Sequence, residues 1–163
     1  MKKNWKYLLF LMTIVIVLVV GLKFDGNLEH LLKQRTDFIS NIQMGGDRIT
    51  FSFESLKYYI FYITEPFALL NISGNIGLFA VFGFLACGTF LNKKTLYSCL
   101  YCSFWGIAIE LIQYFTWLGF FDISDILLRF IGILIGSLIY TIVFTIIRRR
   151  NRNEQKVGEK KEA

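Results

Sequence analysis

The stretch Ile109 to Gly136, IELIQYFTWLGFFDISDILLRFIGILIG, decides how this chain is read. Two apolar runs meet at a short turn, yet they carry Glu110, Gln113, Asp122, Asp125 and Arg129. Ionisable groups at membrane depth are costly, so a span that keeps them points to a pairing or to a site. Asp122, Asp125, Arg129, Gly132 and Gly136 recur at steps of three and four and make one helical stripe. Its lower part, Gly132-x-x-x-Gly136, is a close-approach motif for helices in lipid. On the preceding run Ser98, Cys102, Gly106 and Glu110 recur every four residues, so small side chains and one carboxylate share a face.

Outward from there, the hydrophobicity lies in blocks too long for a soluble domain. Of the 163 residues, 55% are apolar and a single one is proline, and neither Leu8 to Leu22 nor Phe130 to Ile147 contains a charge. Such runs approach the ~20 residues that a helix needs to cross the hydrocarbon core. Spans are expected at about Tyr7 to Leu22, Ile72 to Leu91, Leu96 to Trp117 and Ile126 to Ile147. The fold class is an all-α membrane protein of about four transmembrane helices, with an external amphipathic segment between the first and second. The expected division is 1–22 for the N-terminus and anchor helix, 23–66 for the external or interfacial segment, 67–147 for a three-helix membrane core and 148–163 for a basic tail.

Lys and Arg outnumber Asp and Glu by 18 to 12, and their placement follows the spans. Lys2, Lys3 and Lys6 precede the first run, Lys93 and Lys94 separate the second from the third, and Arg148, Arg149, Arg150, Arg152, Lys156, Lys160 and Lys161 follow the last. Four spans put all of these on one side, so both termini are expected in the cytoplasm, with Thr36 and Phe120 outside. The tail is read as a topology anchor attracted to anionic lipid rather than as a nucleic-acid binder. Gly21-Leu22-Lys23-Phe24 is a poor small-residue cleavage site, so the first span is expected to remain as a signal anchor. With Thr13 as its one polar residue, that span is read as lipid-exposed.

In the external segment, Leu28, Leu31, Leu32, Phe38 and Ile39 recur at near-helical spacing up to a turn at Gly45-Gly46. Ile49 to Phe53 alternates briefly, and Leu56, Tyr59, Ile60 and Ile63 then form one face of a short amphipathic helix. The aromatic residues around it suit the headgroup level. Cys99 and Cys102 match a C-x-x-C pattern without the further ligands a metal needs, so they and Cys87 are read as packing residues and no metal site is assigned. His30, the one histidine, is read as a surface residue, and no cofactor can be named from the residues.

Depth decides which polar groups meet. Glu110 precedes Trp117 by as many residues as Arg129 follows Asp122, so at ~1.5 Å rise per residue each lies about 10 Å from its helix end. A carboxylate and a guanidinium level with each other on adjacent antiparallel helices form a natural pair. Asp125, one turn from Arg129, competes for it; Gln113 lies one turn above Glu110, and Asn75 enters from the second span. Together Asn75, Glu110, Gln113, Asp122, Asp125 and Arg129 are expected to line a polar pocket opening outward. Its carboxylates suit acid–base work or a divalent cation, Arg129 suits a lipid phosphate, and a purely structural network is the alternative.

These residues resemble the VanZ-like membrane protein family. Gly74-Asn75-Ile-Gly-Leu-Phe-Ala-Val-Phe-Gly83-Phe is similar to its glycine-bounded signature, Ile109-Glu110-Leu-Ile-Gln113 to its I-E-x-x-Q element, and Phe121-Asp122-Ile-Ser-Asp125-Ile, with Gly132 and Gly136, to its closing motif. Two positions depart: Gly119 stands where the family commonly has arginine, and Arg129 where it has asparagine. The resemblance implies a multi-pass protein of the bacterial cell membrane that lowers susceptibility to teicoplanin, a glycopeptide with an acyl tail. Its expected partners are the lipid bilayer and either a lipid-linked envelope intermediate or a lipoglycopeptide. The alternatives are a membrane enzyme acting on a lipid-linked envelope substrate, and a small transporter or accessory subunit.

Overall fold

A computed structural model describes residues 2–90 and 95–162, with side chains from residue 4 to 155 among them. Asn92 to Lys94 and the side chains of Lys2, Lys3, Lys156, Lys160 and Lys161, to which the topology reading refers, lie outside the described residues. The elements are α1 (Lys2–Ile16), continued by a π-helical turn (Val17–Gly21), α2 (Leu28–Gln43), β1 (Ile49–Thr50), α3 (Glu54–Phe61), α4 (Pro66–Thr89), α5 (Thr95–Thr116), β2 (Phe121–Asp122) and α6 (Ile123–Glu162). Four helices are long and apolar enough to cross a membrane. The protein is thus an all-α membrane protein, with α2, β1 and α3 forming a connector between its first and second spans.

Three element boundaries differ from the sequence reading. Helix α4 begins at Pro66 rather than near Ile72, because proline suits the first helical position, where no intrahelical N–H is needed. Helix α6 runs past Ile147 to Glu162, since the tail offers good helix formers and an Arg150 Nε–Glu154 Oε1 contact of 2.9 Å one turn apart. Helix α3 stops at Phe61, so Ile63 is not on it; Leu56 and Tyr59 pack toward Ala68 and Leu128, while Ile60 and Ile63 are exposed.

The first span is not simply lipid-exposed. Leu9, Thr13 and Ile16 are buried at one helical face, and Thr13 Oγ1 donates to Leu9 O at 2.9 Å beside the Tyr101 hydroxyl. Trp5 lies against Gly88, where a side chain would collide with its ring, and contacts Phe84, Tyr140 and Phe144. Helix α1 therefore belongs to the core with α4 and α5.

The most extensive packing is between α4 and α6. A Cβ on Gly132 would run into Ile76 O, and one on Gly136 into Ala80 O. From the other side, a Cβ on Gly83 would stand 2.7 Å from Ile133 O. Without a hydrophobic drive between helices in lipid, such backbone approach supplies the dispersion contact that holds them. The connector folds over the far end of this bundle, where β1 pairs in parallel with β2, Ile49 opposite Phe121 and Thr50 opposite Asp122.

Candidate polar site at the connector end

Arg129 is the centre of the polar residues, and it ties three helices together. Its Nε donates to Asn75 Oδ1 on α4 at 2.9 Å, and its Nη1 donates to Gly106 O on α5 at 2.9 Å. Its Nη2 lies 2.6 Å from Glu110 Oε1 and 3.9 Å from Asp125 Oδ2. The Glu110 contact is an ion pair whose angle departs from that of a well-aligned hydrogen bond. Both partners are almost wholly buried, Arg129 at 1% exposure and Glu110 at 0%. Stranding either charge there costs several kcal/mol, roughly 3–5 in measured buried pairs.

Local structure explains how this is possible. The Arg129 stem passes Gly106 at ordinary contact distance, its Cβ 3.9 Å from where a side chain on Gly106 would begin. Asn75 is itself held by Nδ2 donation to Asn71 O at 3.1 Å, which turns its oxygen toward Arg129. Glu110 accepts a second contact, from the Asp122 backbone N–H at 2.8 Å, so β2 is latched onto α5. The Asp122 carboxylate does not join the cluster; its Oδ1 accepts from Ser124 N at 2.8 Å and caps α6. Gln113 turns toward the first span, its Nε2 donating to Val20 O at 2.8 Å within the π-helical turn.

The sequence-derived set therefore separates. Asn75, Glu110, Asp125 and Arg129 meet, while Asp122 caps a helix and Gln113 tethers α1. Gly132 and Gly136 lie in the α4–α6 seam. The cavity that reaches Arg129 is apolar, about 350 Å³, and runs between α5 and α6 past Gly106, Ile107, Leu127 and Phe130. Asp125 keeps 18% of its side chain exposed, and its Oδ1 and the Oγ of wholly buried Ser124 have no hydrogen-bond partner.

Three residues at this site stand outside the polar set drawn from the sequence. Lys23, left-handed at φ 50°, brings its Nζ to 3.0 Å from where a Cβ on Gly119 would stand, beside Gln113 Oε1. A cation thus arrives from the first span at the place where a side chain on residue 119 would start. Lys23 stays exposed as a residue, yet crowding of its ammonium lowers its pKa, against the pull of Asp125 and Glu110. Arg48 lies between two rings, 3.6 Å from that of Trp117 and 4.1 Å from that of Tyr114, and its Nη2 donates to Tyr114 O at 2.6 Å. This clamps the β1–β2 roof to the end of α5. Tyr59 closes the α3 side; burial, then the charges of Asp125, Asp122 and Glu110, raise its pKa and keep the phenol neutral.

Away from this cluster, His30 Nδ1 contacts Asp25 Oδ2 on the surface, and that hydrogen bond lowers the Asp25 pKa. Cys87, Cys99 and Cys102 are free thiols, with Cys99 Sγ 3.7 Å from Ser137 Oγ across the α5–α6 contact.

No curated protein and no solved structure matches the chain. The profile of the VanZ/LLP1 family, however, matches residues 7–145, which reaches into all four spans and takes in the connector and every residue of the polar cluster. A multi-pass membrane protein built around these motifs, this chain belongs to the VanZ/LLP1 family.

Proposed function

We propose that this protein works in a bacterial cell envelope, where the polar cluster at its connector end engages an amphiphilic molecule and lowers susceptibility to teicoplanin-type lipoglycopeptides. The observation that carries this reading is the apolar cavity between α5 and α6 that has Arg129 among its walls, with the partly exposed Asp125 one turn along α6. An acyl chain suits its walls, and a polar head suits the charged groups of the cluster; burying each methylene adds ~0.8 kcal/mol to attachment. In the proposed arrangement 23–66 faces outward over a core of 67–147, the anchor helix of 1–22 is retained, and the tail of 148–163 and both termini are cytoplasmic. The one-sided placement of Lys and Arg supports that orientation. Single cysteines in a cysteine-free background test it: a cysteine at Thr36 should react with an impermeant reagent in intact cells and one at Asn92 should not, and the reverse pattern inverts the topology.

Overproduction in a susceptible Gram-positive host should protect against teicoplanin more than against vancomycin, which lacks the acyl tail. Asp125→Asn at unchanged protein level should remove that difference. Equal protection against both drugs, or none against either, would sink the reading. A second reading, an enzyme acting on a lipid-linked envelope substrate, draws support from Asp125, a partly exposed carboxylate near a guanidinium and of the type that serves as a general base. Mass spectrometry of lipids and cell-wall precursors, with and without the protein, separates the two, since only the enzyme leaves a new product.

A further inference from the structure

A second cavity, about 160 Å³, lies at the opposite end of the bundle, where α4, α5 and α6 come together. Thr95, Ser98, Tyr140, Thr141, Thr145 and Arg148 supply its polar lining, and no carboxylate is among its walls in the described residues. Tyr140 is only 8% exposed, and its hydroxyl is buried without a hydrogen-bond partner among the described residues. Its ring cannot turn away to find one, because it stacks on Phe144 at 4.2 Å and meets Phe84 and Trp5 edge-on. A buried donor left unsatisfied is destabilising, so the site gains from any ligand that accepts from it. Arg148 follows Ile147 at the point where α6 leaves its apolar run, the level of the lipid headgroups.

We propose that this cavity binds a phosphate-bearing anion, presented by the headgroup of an anionic phospholipid, between the Tyr140 hydroxyl and the Arg148 guanidinium. Tyrosine donates one hydrogen bond and arginine a charged pair, while the threonine hydroxyls fill the remaining positions. The site differs from a general attraction of the tail for anionic lipid, because Arg150 pairs with Glu154 and does not line the cavity.

The test is lipid retention by the full-length protein in detergent micelles, read by native mass spectrometry against added phosphatidylglycerol or phosphatidylcholine. Phosphatidylglycerol should be retained preferentially. Arg148→Gln should weaken its retention about fivefold, and Tyr140→Phe about tenfold, the effect of losing one hydrogen bond to a charged acceptor. Arg150→Gln, with the same loss of charge, should leave retention unchanged. Tyr140→Phe removes a buried hydroxyl that no described residue satisfies, so its thermal unfolding without lipid should come no earlier than the parent's, which separates lost binding from lost folding. Equal weakening by Arg148→Gln and Arg150→Gln, or no effect of Tyr140→Phe, overturns the site in favour of diffuse attraction by the tail. Equal retention of the two lipids, with displacement of both by millimolar inorganic phosphate, overturns the lipid as the source and assigns the cavity to soluble phosphate.

Discussion

Helix α6 meets its two main neighbours by different physics. Against α4, apart from the single Arg129–Asn75 hydrogen bond, it presents bare backbone, with Gly132 beside Ile76 O and Gly136 beside Ala80 O. Against α5 it presents polar groups, with Arg129 reaching Glu110 and Gly106 O and Ser137 beside Cys99. The first contact is steric: it has no flexible partner that could give way, so it tolerates nothing larger than hydrogen. The second is electrostatic and reciprocal, so each member is needed because the other is present. The difference teaches that small residues and charged residues on one helical stripe answer to separate constraints, even though they follow one another at the same spacing.

The largest effect should come from breaking the steric contact. Gly136→Leu forces a side chain into the α4 backbone, well beyond the ~1–3 kcal/mol of ordinary overpacking, and should abolish accumulation of folded protein in membranes. Gly77→Ala on α4 is the control, since a Cβ there meets nothing within 4 Å, and its yield should equal the parent's. Normal accumulation of Gly136→Leu would mean that the two helices are not in backbone contact.

The polar contact should show coupling instead. Glu110→Ala or Arg129→Ala each strands a buried charge and should cost about 3–5 kcal/mol. Glu110→Gln combined with Arg129→Asn removes both charges and should cost less than the sum of its two single changes. Thermal unfolding in detergent measures this cycle, and additive losses would show that the two residues act independently.

The smallest effect concerns the rim of the cluster. Desolvation of its crowded ammonium lowers the pKa of Lys23 below its ordinary 10.5, so the neutral, reactive amine forms at lower pH than in a free lysine. Acylation of Lys23, followed by peptide mass spectrometry, should therefore rise with pH before it does for a model lysine peptide. The sign for stability follows: the folded state sheds this proton first, so folding gains as pH rises from the folded pKa toward 10.5. Reaction at the pH of the model peptide would place the ammonium in open water, away from Gly119.

Much of this was legible in the chain because it depends on local repeats. The apolar runs account for the four membrane-length helices, and the stepwise spacing from Asp125 to Gly136 places Arg129 and the two glycines on adjoining faces of α6. Matched depth was enough to bring Glu110 level with Arg129, since both helices rise by the same amount per residue. The start of α4 at Pro66 was also open to a closer reading of proline at a first helical position. Asp122 was harder: its spacing fits the stripe, but as the cap of α6 its side chain turns back to Ser124 N.

The sequence by itself determined where helices cross, which residues share a face and how deep each polar group lies, because periodicity and length act within one segment. Only the tertiary structure decided that Lys23 arrives beside Gly119, that Arg48 is clamped between Tyr114 and Trp117, that β1 pairs with β2, and that Asn75 rather than Gln113 supports Arg129. Each of those contacts joins segments distant in the chain. Each is selected by competition among many possible partners for a few buried hydrogen bonds and charges, which local spacing does not encode.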